Sequence, residues 1–332
     1  MKLSILDQAV ISSGKSARDA LLDSTELAKV GECLGYKRYW IAEHHDFPGL
    51  ACPSPEIMLA YIGQQTKTIR IGSGAILLPH YKPFKVAENF NLLATLFPNR
   101  IDLGIGRAPG GSAEVSIALS GNFLENVRNM PDSFQTLLHL LQHDIPKDHP
   151  FSGISAAPLP MNAPQPWLLG TSGKSAQLAA EKGVSYAFGQ FMSEKNGTEI
   201  VSSYKKQFKS SNFLSEPYSI VTVSVICAES TDKAHELSLS NLAWSIKMMR
   251  GEKQEALPSI VEAKKYLQSI GKKEIDEASK HNMIIGNPLE VKNQLGELIN
   301  QYNADEVMII TNVHRSEDKI KSYELVAQQF LC

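Results

Sequence analysis

Short runs of apolar and β-branched residues alternate along this chain with longer segments in which apolar residues recur at helical spacing. The run at 218–227 is the clearest strand, because β-branched residues fill most of it. Residues 17–34 are typical of an amphipathic helix, since leucine and alanine recur on one helical face. The pattern predicts strands at 3–10, 37–42, 69–78, 101–105, 167–170, 184–188, 218–227 and 306–311. It predicts helices at 17–34, after Pro53 and Pro55, and at 83–96, 133–142, 175–182 and 319–330.

Strands that alternate with helices are typical of parallel α/β architecture, and eight of them predict a (β/α)₈ TIM barrel. The 332 residues are predicted to form a single domain, 1–332, that exceeds the ~250 residues usual for this fold, which leaves room for insertions after strands 4 and 7. Residues 145–165 hold five prolines, too many for a helix. Residues 250–285 are rich in Lys and Glu and are predicted to form a mobile cover over the barrel mouth. An open doubly wound sheet is the alternative, although the chain shows no two-fold division.

The composition and charge of the chain argue against several classes of protein. Lys and Arg number 33 against 35 for Asp and Glu, a net charge of −2 that argues against nucleic-acid binding. No run of about 18 apolar residues is present, so no membrane span is predicted. Asp7 interrupts the apolar N-terminal run that a signal peptide would need. The four cysteines are scattered without a CxxC pair, which favours a cytoplasmic protein with free thiols.

The second strand runs into Glu43, His44 and His45. Barrel enzymes place their active sites at the carboxyl ends of the strands, and adjacent histidines in an extended segment point to opposite faces. Only one of the two histidines can therefore enter the barrel mouth. Imidazole suits general acid or base catalysis near neutral pH. A metal site lacks further ligands and is not predicted, and a pair of polar loop residues is the other alternative.

Strands three and four both end in glycine-rich sequence. Gly72 and Gly74 flank Ser73, which indicates either a flat group that approaches the backbone or close packing against a neighbouring strand. Strand four leads to Arg107 through a sequence that imitates a dinucleotide fingerprint, but Pro109 stands where the third glycine belongs. An arginine there can bind a phosphate through two hydrogen bonds or can form a salt bridge within the rim.

The segment after strand five, residues 170–175, resembles the end of a Walker A motif. Leu168 stands where the leading glycine of that motif is required, so a nucleoside triphosphatase is not expected. A helix begins here among the hydroxyls of Thr171, Ser172 and Ser175, and a helix N-terminus attracts phosphate. Simple N-capping is the alternative. Together with Arg107, this helix start predicts a phosphate-bearing ligand.

Taken in order, these segments resemble the bacterial luciferase-like monooxygenase superfamily of flavin and deazaflavin barrels, in its non-luminescent branch. The resemblance covers nearly the whole chain, and the joint order and spacing of the motifs is what makes it specific. Gly106 stands where the luciferases carry a reactive cysteine, so light emission is not expected. The segments that carry the resemblance are 42–45, 69–79, 86–88, 102–107, 170–180 and 286–288.

The resemblance implies that reduced FMN binds with its ring against strand three, where a non-proline cis peptide between Gly74 and Ala75 is expected. It also implies that His44 handles the proton near the flavin, that His45 is its structural neighbour and that Glu88 lies in a subunit contact. The implied cofactor-binding residues are Ser73, Gly74, Ala75, Arg107, Thr171 through its backbone, Ser172 and Ser175.

The implied reaction is a monooxygenation that consumes O₂ and a small organic substrate. A separate flavin reductase would supply the reduced FMN, since no nicotinamide fingerprint is visible, and the protein is expected to be a homodimer. Two alternatives stay open: a hydride-transferring oxidoreductase that uses the deazaflavin F420, and a flavin-binding protein without catalysis. Aromatic residues that hint at an apolar site are Phe47, Tyr81, Phe188 and Phe191.

Overall fold

Strands and helices alternate throughout the computed structural model, which describes residues 1–193, 195–252, 256–279 and 283–331. The strands are β1 (Leu3–Asp7), β2 (Arg38–Ile41), β3 (Arg70–Ser73), β4 (Ile76–Leu77), β5 (Ile101–Gly106), β6 (Gln165–Gly170), β7 (Ser185–Gly189), β8 (Ser219–Cys227), β9 (Met283–Gly286) and β10 (Glu306–Ile310). The helices are α1 (Ala17–Cys33), α2 (Pro55–Gln65), α3 (Pro83–Leu96), α4 (Ala113–Ser120), α5 (Phe123–Arg128), α6 (Met130–Gln142), α7 (Gly173–Lys182), α8 (Gly197–Gln207), α9 (Thr231–Met249), α10 (Ile260–Gln268), α11 (Lys272–Ser279), α12 (Pro288–Tyr302) and α13 (Ser316–Phe330).

The parallel strands close into an eight-stranded barrel, as the sequence predicts. β1 pairs with both β2 and β10, and β10 pairs with β8, so the sheet has no free edge in the barrel. The third predicted strand is broken into β3 and β4, with a cis peptide between Gly74 and Ala75 at the break, where the sequence analysis expects one. The long strand β8 pairs with β10 along Ile220–Ser224, and beyond that with β9, which lies outside the barrel.

Helix starts follow local capping chemistry. Ser16 caps α1 in a reciprocal pair with Asp19, and Asn287 caps α12 in the same way. Proline at the first helical position starts α3 at Pro83, where the missing N–H costs no hydrogen bond. These short-range signals explain why the predicted and observed bounds of the helix at 83–96 coincide.

The barrel interior is apolar in its middle and charged at its N-terminal end. Arg38 is buried there between Asp102 and Glu306, at 2.6 and 2.8 Å. Buried charges are tolerated only when they are paired, so this network closes the end of the barrel opposite the carboxyl ends of the strands. The interior apolar cluster above it comprises Leu6, Trp40, Trp167, Ala187, Ile220, Met308 and Ile310.

Several elements were not predicted. Helices α4 and α5 fill the loop after β5, while α8, α9 and α12 pack outside the barrel. Residues 145–164 contain no helix or strand, in agreement with their proline content. Among the described residues, no helix is both long enough and apolar enough to cross a bilayer.

The predicted cover at 250–285 is in large part folded. Helices α10 and α11 pack against α9. Leu257 exchanges backbone hydrogen bonds with Ile11 and Ser13 just beyond β1, which places it at the rim of the mouth. Residues 253–255 and 280–282 of the predicted cover lie outside the described residues.

Candidate functional site

The four strand ends that the sequence singles out are neighbours in the barrel. Their order around the sheet is β2, β3 with β4, β5 and β6, and all run parallel. Their carboxyl ends therefore meet on one side of the mouth, and the structure brings the predicted residues of these ends together. The register places Ile41 beside Ser73, Leu77 beside Gly106, and Ile105 beside Leu168.

His44 lies three residues beyond β2 and is half-buried. Its backbone N–H donates to the Cys52 carbonyl at 3.0 Å, and its ring stands edge-on to Phe47 with centroids 5.9 Å apart. The buried Nδ1 atom has no hydrogen-bond partner within the described part of the chain. Burial lowers the pKa of His44 to about 4, and the charge of His45 contributes as a second cause. The imidazole is therefore neutral near pH 7, with a nitrogen free for a ligand.

His45 faces the other way, as the pattern of adjacent histidines predicts. Its Nε2 donates to Glu43 Oε1 at 2.7 Å, and both side chains are buried. Glu43 also accepts from the Tyr81 hydroxyl at 2.9 Å and from the backbone N–H of Leu77 at 3.1 Å. His45 is thus committed to the protein, and His44 is the histidine that is free to react.

The break between β3 and β4 presents backbone rather than side chains. The buried Ser73 hydroxyl donates to the Gly104 carbonyl at 2.9 Å and accepts from the Gly104 N–H at 3.1 Å. A Cβ atom at Gly74 would lie 2.7 Å from Leu6 Cδ1, so close packing inside the barrel requires glycine there. Ala75 is 8% exposed. Of the predicted residues Ser73, Gly74 and Ala75, Ser73 is fully buried and its one hydroxyl hydrogen is donated to Gly104.

Arg107 follows β5 and is exposed. Within the residues that the structure describes, its guanidinium forms no salt bridge or hydrogen bond, so the rim salt bridge that was the alternative is not observed. A hydrogen bond fixes the loop after Arg107 to the loop after β2, because the Gly110 carbonyl accepts from the His45 N–H at 2.7 Å. Arg107 is therefore a cation without a partner among the described residues, on a loop whose position is fixed by a hydrogen bond.

The start of α7 forms the neighbouring corner of the site. Ser172 and Ser175 cap each other reciprocally, and Ser175 Oγ contacts the Tyr186 hydroxyl at 3.1 Å. The N-capping alternative is thus observed, and Thr171 is half-buried beside it. Gly173 and Lys174 are exposed, and their N–H groups form no hydrogen bond in the described part of the chain. Capping leaves these two donors available for an anion.

The predicted aromatic residues divide into two groups. Phe47 borders His44, and Phe191 packs on the interior apolar cluster of the barrel. Phe188 is buried outside the barrel against Tyr302, and the hydroxyl of the half-buried Tyr81 donates to Glu43.

Sequence reasoning missed Glu56, which starts α2 and has a buried, unpartnered Oε2. Burial, then the charge of Glu43, raises the pKa of Glu56. A glutamate in the first turn of a helix is an ordinary sequence feature. Nothing in the sequence therefore distinguishes it.

Comparisons with known proteins agree with this geometry. The family model described as luciferase-like monooxygenase matches residues 1–303. The uncharacterized protein YceB of Bacillus subtilis (strain 168) is 44% identical over 329 residues, which are 99% of each chain. The N-acetyl-S-alkylcysteine monooxygenase of the same organism is 32% identical over 333 residues, covering 100% of this chain and 98% of that one.

Solved structures show the same fold. The crystal structure of apo-MsnO8 superposes with a TM-score of 0.92 at 32% identity, covering 99% of this chain and 98% of that one. The oxygenating constituent of 3,6-diketocamphane monooxygenase from a Pseudomonas putida plasmid, in complex with FMN, gives 0.72 at 18% identity and covers 99% and 97%. An F420-dependent secondary alcohol dehydrogenase gives 0.68 at 14% identity and covers 99% and 98%.

Proposed function

The chain belongs to the luciferase-like monooxygenase family, and from that premise we propose that it is an FMN-dependent monooxygenase acting on a small organic substrate with O₂. One observation carries the proposal. A neutral histidine with a free nitrogen, the backbone turn at 74–75 and an arginine without a partner among the described residues lie at adjacent strand ends of one barrel mouth. Proton handling, ring binding and phosphate binding need these three features.

The residues present fit a flavin phosphate. Arg107 has no partner among the described residues, and the open N–H groups of Gly173 and Lys174 start a ten-residue helix on the adjacent strand end. A guanidinium and a helix N-terminus are two standard phosphate ligands. Ser172 and Ser175 would shape this corner through their reciprocal cap, and Thr171 would contribute backbone.

The turn at 74–75 would support the ring through its backbone, at the carboxyl end of β3. Reduced FMN, when bound, supplies the two electrons with which O₂ is split, one oxygen atom entering the substrate and the other leaving as water. His44 would accept or return a proton at its unpartnered Nδ1, and its low pKa keeps it unprotonated before each turnover. Phe47 and Phe191 would keep water from this side of the mouth.

The family and a named relative support monooxygenation, whereas the solved neighbours include proteins of both cofactors. One solved neighbour binds FMN and another uses F420, and both have this fold. The N-acetyl-S-alkylcysteine monooxygenase makes S-alkylated amino-acid derivatives the first substrates to screen. The reduced flavin would come from a separate reductase.

A homodimer is also proposed. Ile57 and Tyr61 on α2, and Leu92 and Leu96 on α3, are exposed apolar side chains on two helices that pack together. Glu88 lies one turn before Leu92 on α3 and pairs only with nearby Lys85 among the described residues. Contiguous exposed apolar surface is typical of protein interfaces.

Sedimentation velocity tests the homodimer. We expect twice the chain mass for the wild type, a monomer for Leu96→Glu, and a dimer for the control Val261→Glu, which changes an exposed valine on α10. A monomeric wild type would refute the dimer.

The test of the function is an anaerobic fluorescence titration with oxidised FMN, reduced FMN and F420, followed by exposure to O₂ with candidate substrates. We expect reduced FMN to bind preferentially and Arg107→Ala to weaken binding at least tenfold. The control Arg18→Ala, an exposed arginine on α1, should bind as the wild type does. Binding of F420 alone, with product formed without O₂, would replace the proposal with hydride transfer. Binding without any turnover would leave a flavin carrier, and no binding would refute the proposal.

A further inference from the structure

Glu43 is a buried carboxylate in the site to which the proposed function assigns no role. It is 3% exposed, and its two oxygens accept three hydrogen bonds. Oε1 accepts from His45 Nε2 and the Tyr81 hydroxyl, and Oε2 accepts from the Leu77 N–H. Burying a charge is strongly unfavourable without such donors. The donors come from three segments: the loop after β2, strand β4, and the residues just before α3.

His45 extends this arrangement to the loop after β5. Its backbone N–H donates to the Gly110 carbonyl at 2.7 Å. Its ring stands edge-on to His80, with centroids 5.8 Å apart, and His80 Nε2 donates to the Pro109 carbonyl at 2.8 Å. The loop that follows Arg107 is therefore tied to the same carboxylate.

We propose that Glu43 is a positioning residue that holds the loop of His44, the turn at 74–75 and the loop after Arg107 in one fixed arrangement. The inference rests on the proposed function, since these three segments carry its proton, ring and phosphate roles. Glu43 acts through His45 and through strand β4 rather than by contact with a ligand. His44 has no hydrogen bond at its own Nδ1, so its placement depends on the residues around it.

Substitutions at positions 43 and 45 distinguish the proposed positioning role from effects of side-chain volume and of misfolding. Glu43→Gln keeps the volume, but one carboxylate oxygen becomes an NH₂ group, which either meets the Leu77 N–H or forces His45 and Tyr81 to accept where they now donate. His45→Gln places an amide N–H near the position of the imidazole Nε2 and can still donate to Glu43. His45→Ala cannot donate there. Both variants at 45 keep the backbone bond to Gly110, so they differ in the bond to Glu43.

The experiment compares these three variants of the full chain, and Glu43→Ala, which removes both carboxylate oxygens, with the wild type and with Glu26→Gln, which changes an exposed glutamate on α1. Circular dichroism checks folding. Three quantities are then measured: the Kd for reduced FMN under anaerobic conditions, kcat and KM in O₂-dependent turnover, and the hydrogen exchange rate of the Leu77 amide.

We expect Glu43→Gln and His45→Ala to raise the Kd about tenfold and to lower kcat by about 10- to 100-fold, because small misplacements of reacting groups are costly. The Leu77 amide should exchange faster in Glu43→Ala, which leaves it without this acceptor. His45→Gln and Glu26→Gln should stay within about twofold of the wild type. A residue that only stabilised the fold would lower the melting temperature and leave kcat of the folded protein unchanged.

Unchanged Kd and kcat in folded Glu43→Gln and His45→Ala would overturn the positioning role while the proposed function stands. If the wild type binds no reduced FMN, the proposed function fails. The Leu77 exchange then decides about the positioning role, since equal rates in the wild type and Glu43→Ala would overturn it. If Glu43→Gln does not fold, equal kinetics of His45→Ala and His45→Gln would overturn it.

Discussion

The burial of His44 should make the whole protein less stable at mildly acidic pH. Its pKa is lowered from 6.5 to about 4, chiefly by burial. The unfolded chain takes up this proton below pH 6.5, whereas the folded chain resists it until about pH 4. Stability is therefore lost as the pH falls through that window. The whole shift corresponds to about 3 kcal/mol, of which about 2 kcal/mol is lost by pH 5.

His44→Gln removes the titrating group and keeps a neutral polar side chain. Urea unfolding at pH 7.5 and at pH 5 gives the free energy of unfolding of each protein at both pH values. All other groups titrate in both proteins, so the wild type should lose about 2 kcal/mol more than the variant between the two pH values. The control His235→Gln, an exposed histidine on α9, should lose as much as the wild type. Equal losses in the wild type and His44→Gln would refute the reasoning.

Three further predictions follow from buried groups. Arg38→Met leaves the buried Glu306 without its cation and Asp102 with Arg70 alone, and should lower the free energy of unfolding by about 3–5 kcal/mol, measured in urea at pH 7; a loss under about 1 kcal/mol would contradict the pairing. Glu56→Gln should stabilise the protein at pH 7 and lose this advantage as the pH falls toward 4.5, because the pKa of Glu56 is raised in the folded state. Thermal denaturation of both proteins at a series of pH values tests this prediction. A difference in melting temperature that stays the same at every pH would contradict it. A thiol reagent should modify the exposed Cys33 before Cys52, which is buried and has its pKa raised to about 12; mass spectrometry of the labelled peptides shows the order, and labelling of Cys52 first would contradict it.

Local patterns were sufficient for the barrel itself. Strand β8 at Ser219–Cys227 and helix α3 at Pro83–Leu96 lie within one residue of their predicted bounds, since a β-branched run and a first-turn proline are local signals. Strand β9 was missed because its four residues pair only with the outer end of β8. Such a short strand is defined by its partner and not by its own sequence.

The candidate site was predicted in outline. The adjacent histidines implied that one side chain faces the mouth and one faces away, but the pattern could not say what fixes the second. Glu43 binds Leu77 and Tyr81, which lie 34 and 38 residues further along the chain. The hydroxyl of Ser73, a residue predicted to bind the cofactor, is bonded to Gly104, which lies 31 residues further along the chain. Hydrogen bonds between residues so far apart in the chain depend on which strands are neighbours in the barrel. They therefore produce no periodic pattern in the sequence.

The sequence by itself determined the alternation of strands and helices, the four strand ends with unusual residues and the identity of His44 and Arg107 as chemical candidates. These follow from local spacing, capping and side-chain chemistry. Only the tertiary structure decided that His44 is neutral and free while His45 is bound, and that Arg107 lacks a partner among the described residues. Burial and pairing are properties of surrounding segments, and closing the barrel is what brings those segments together.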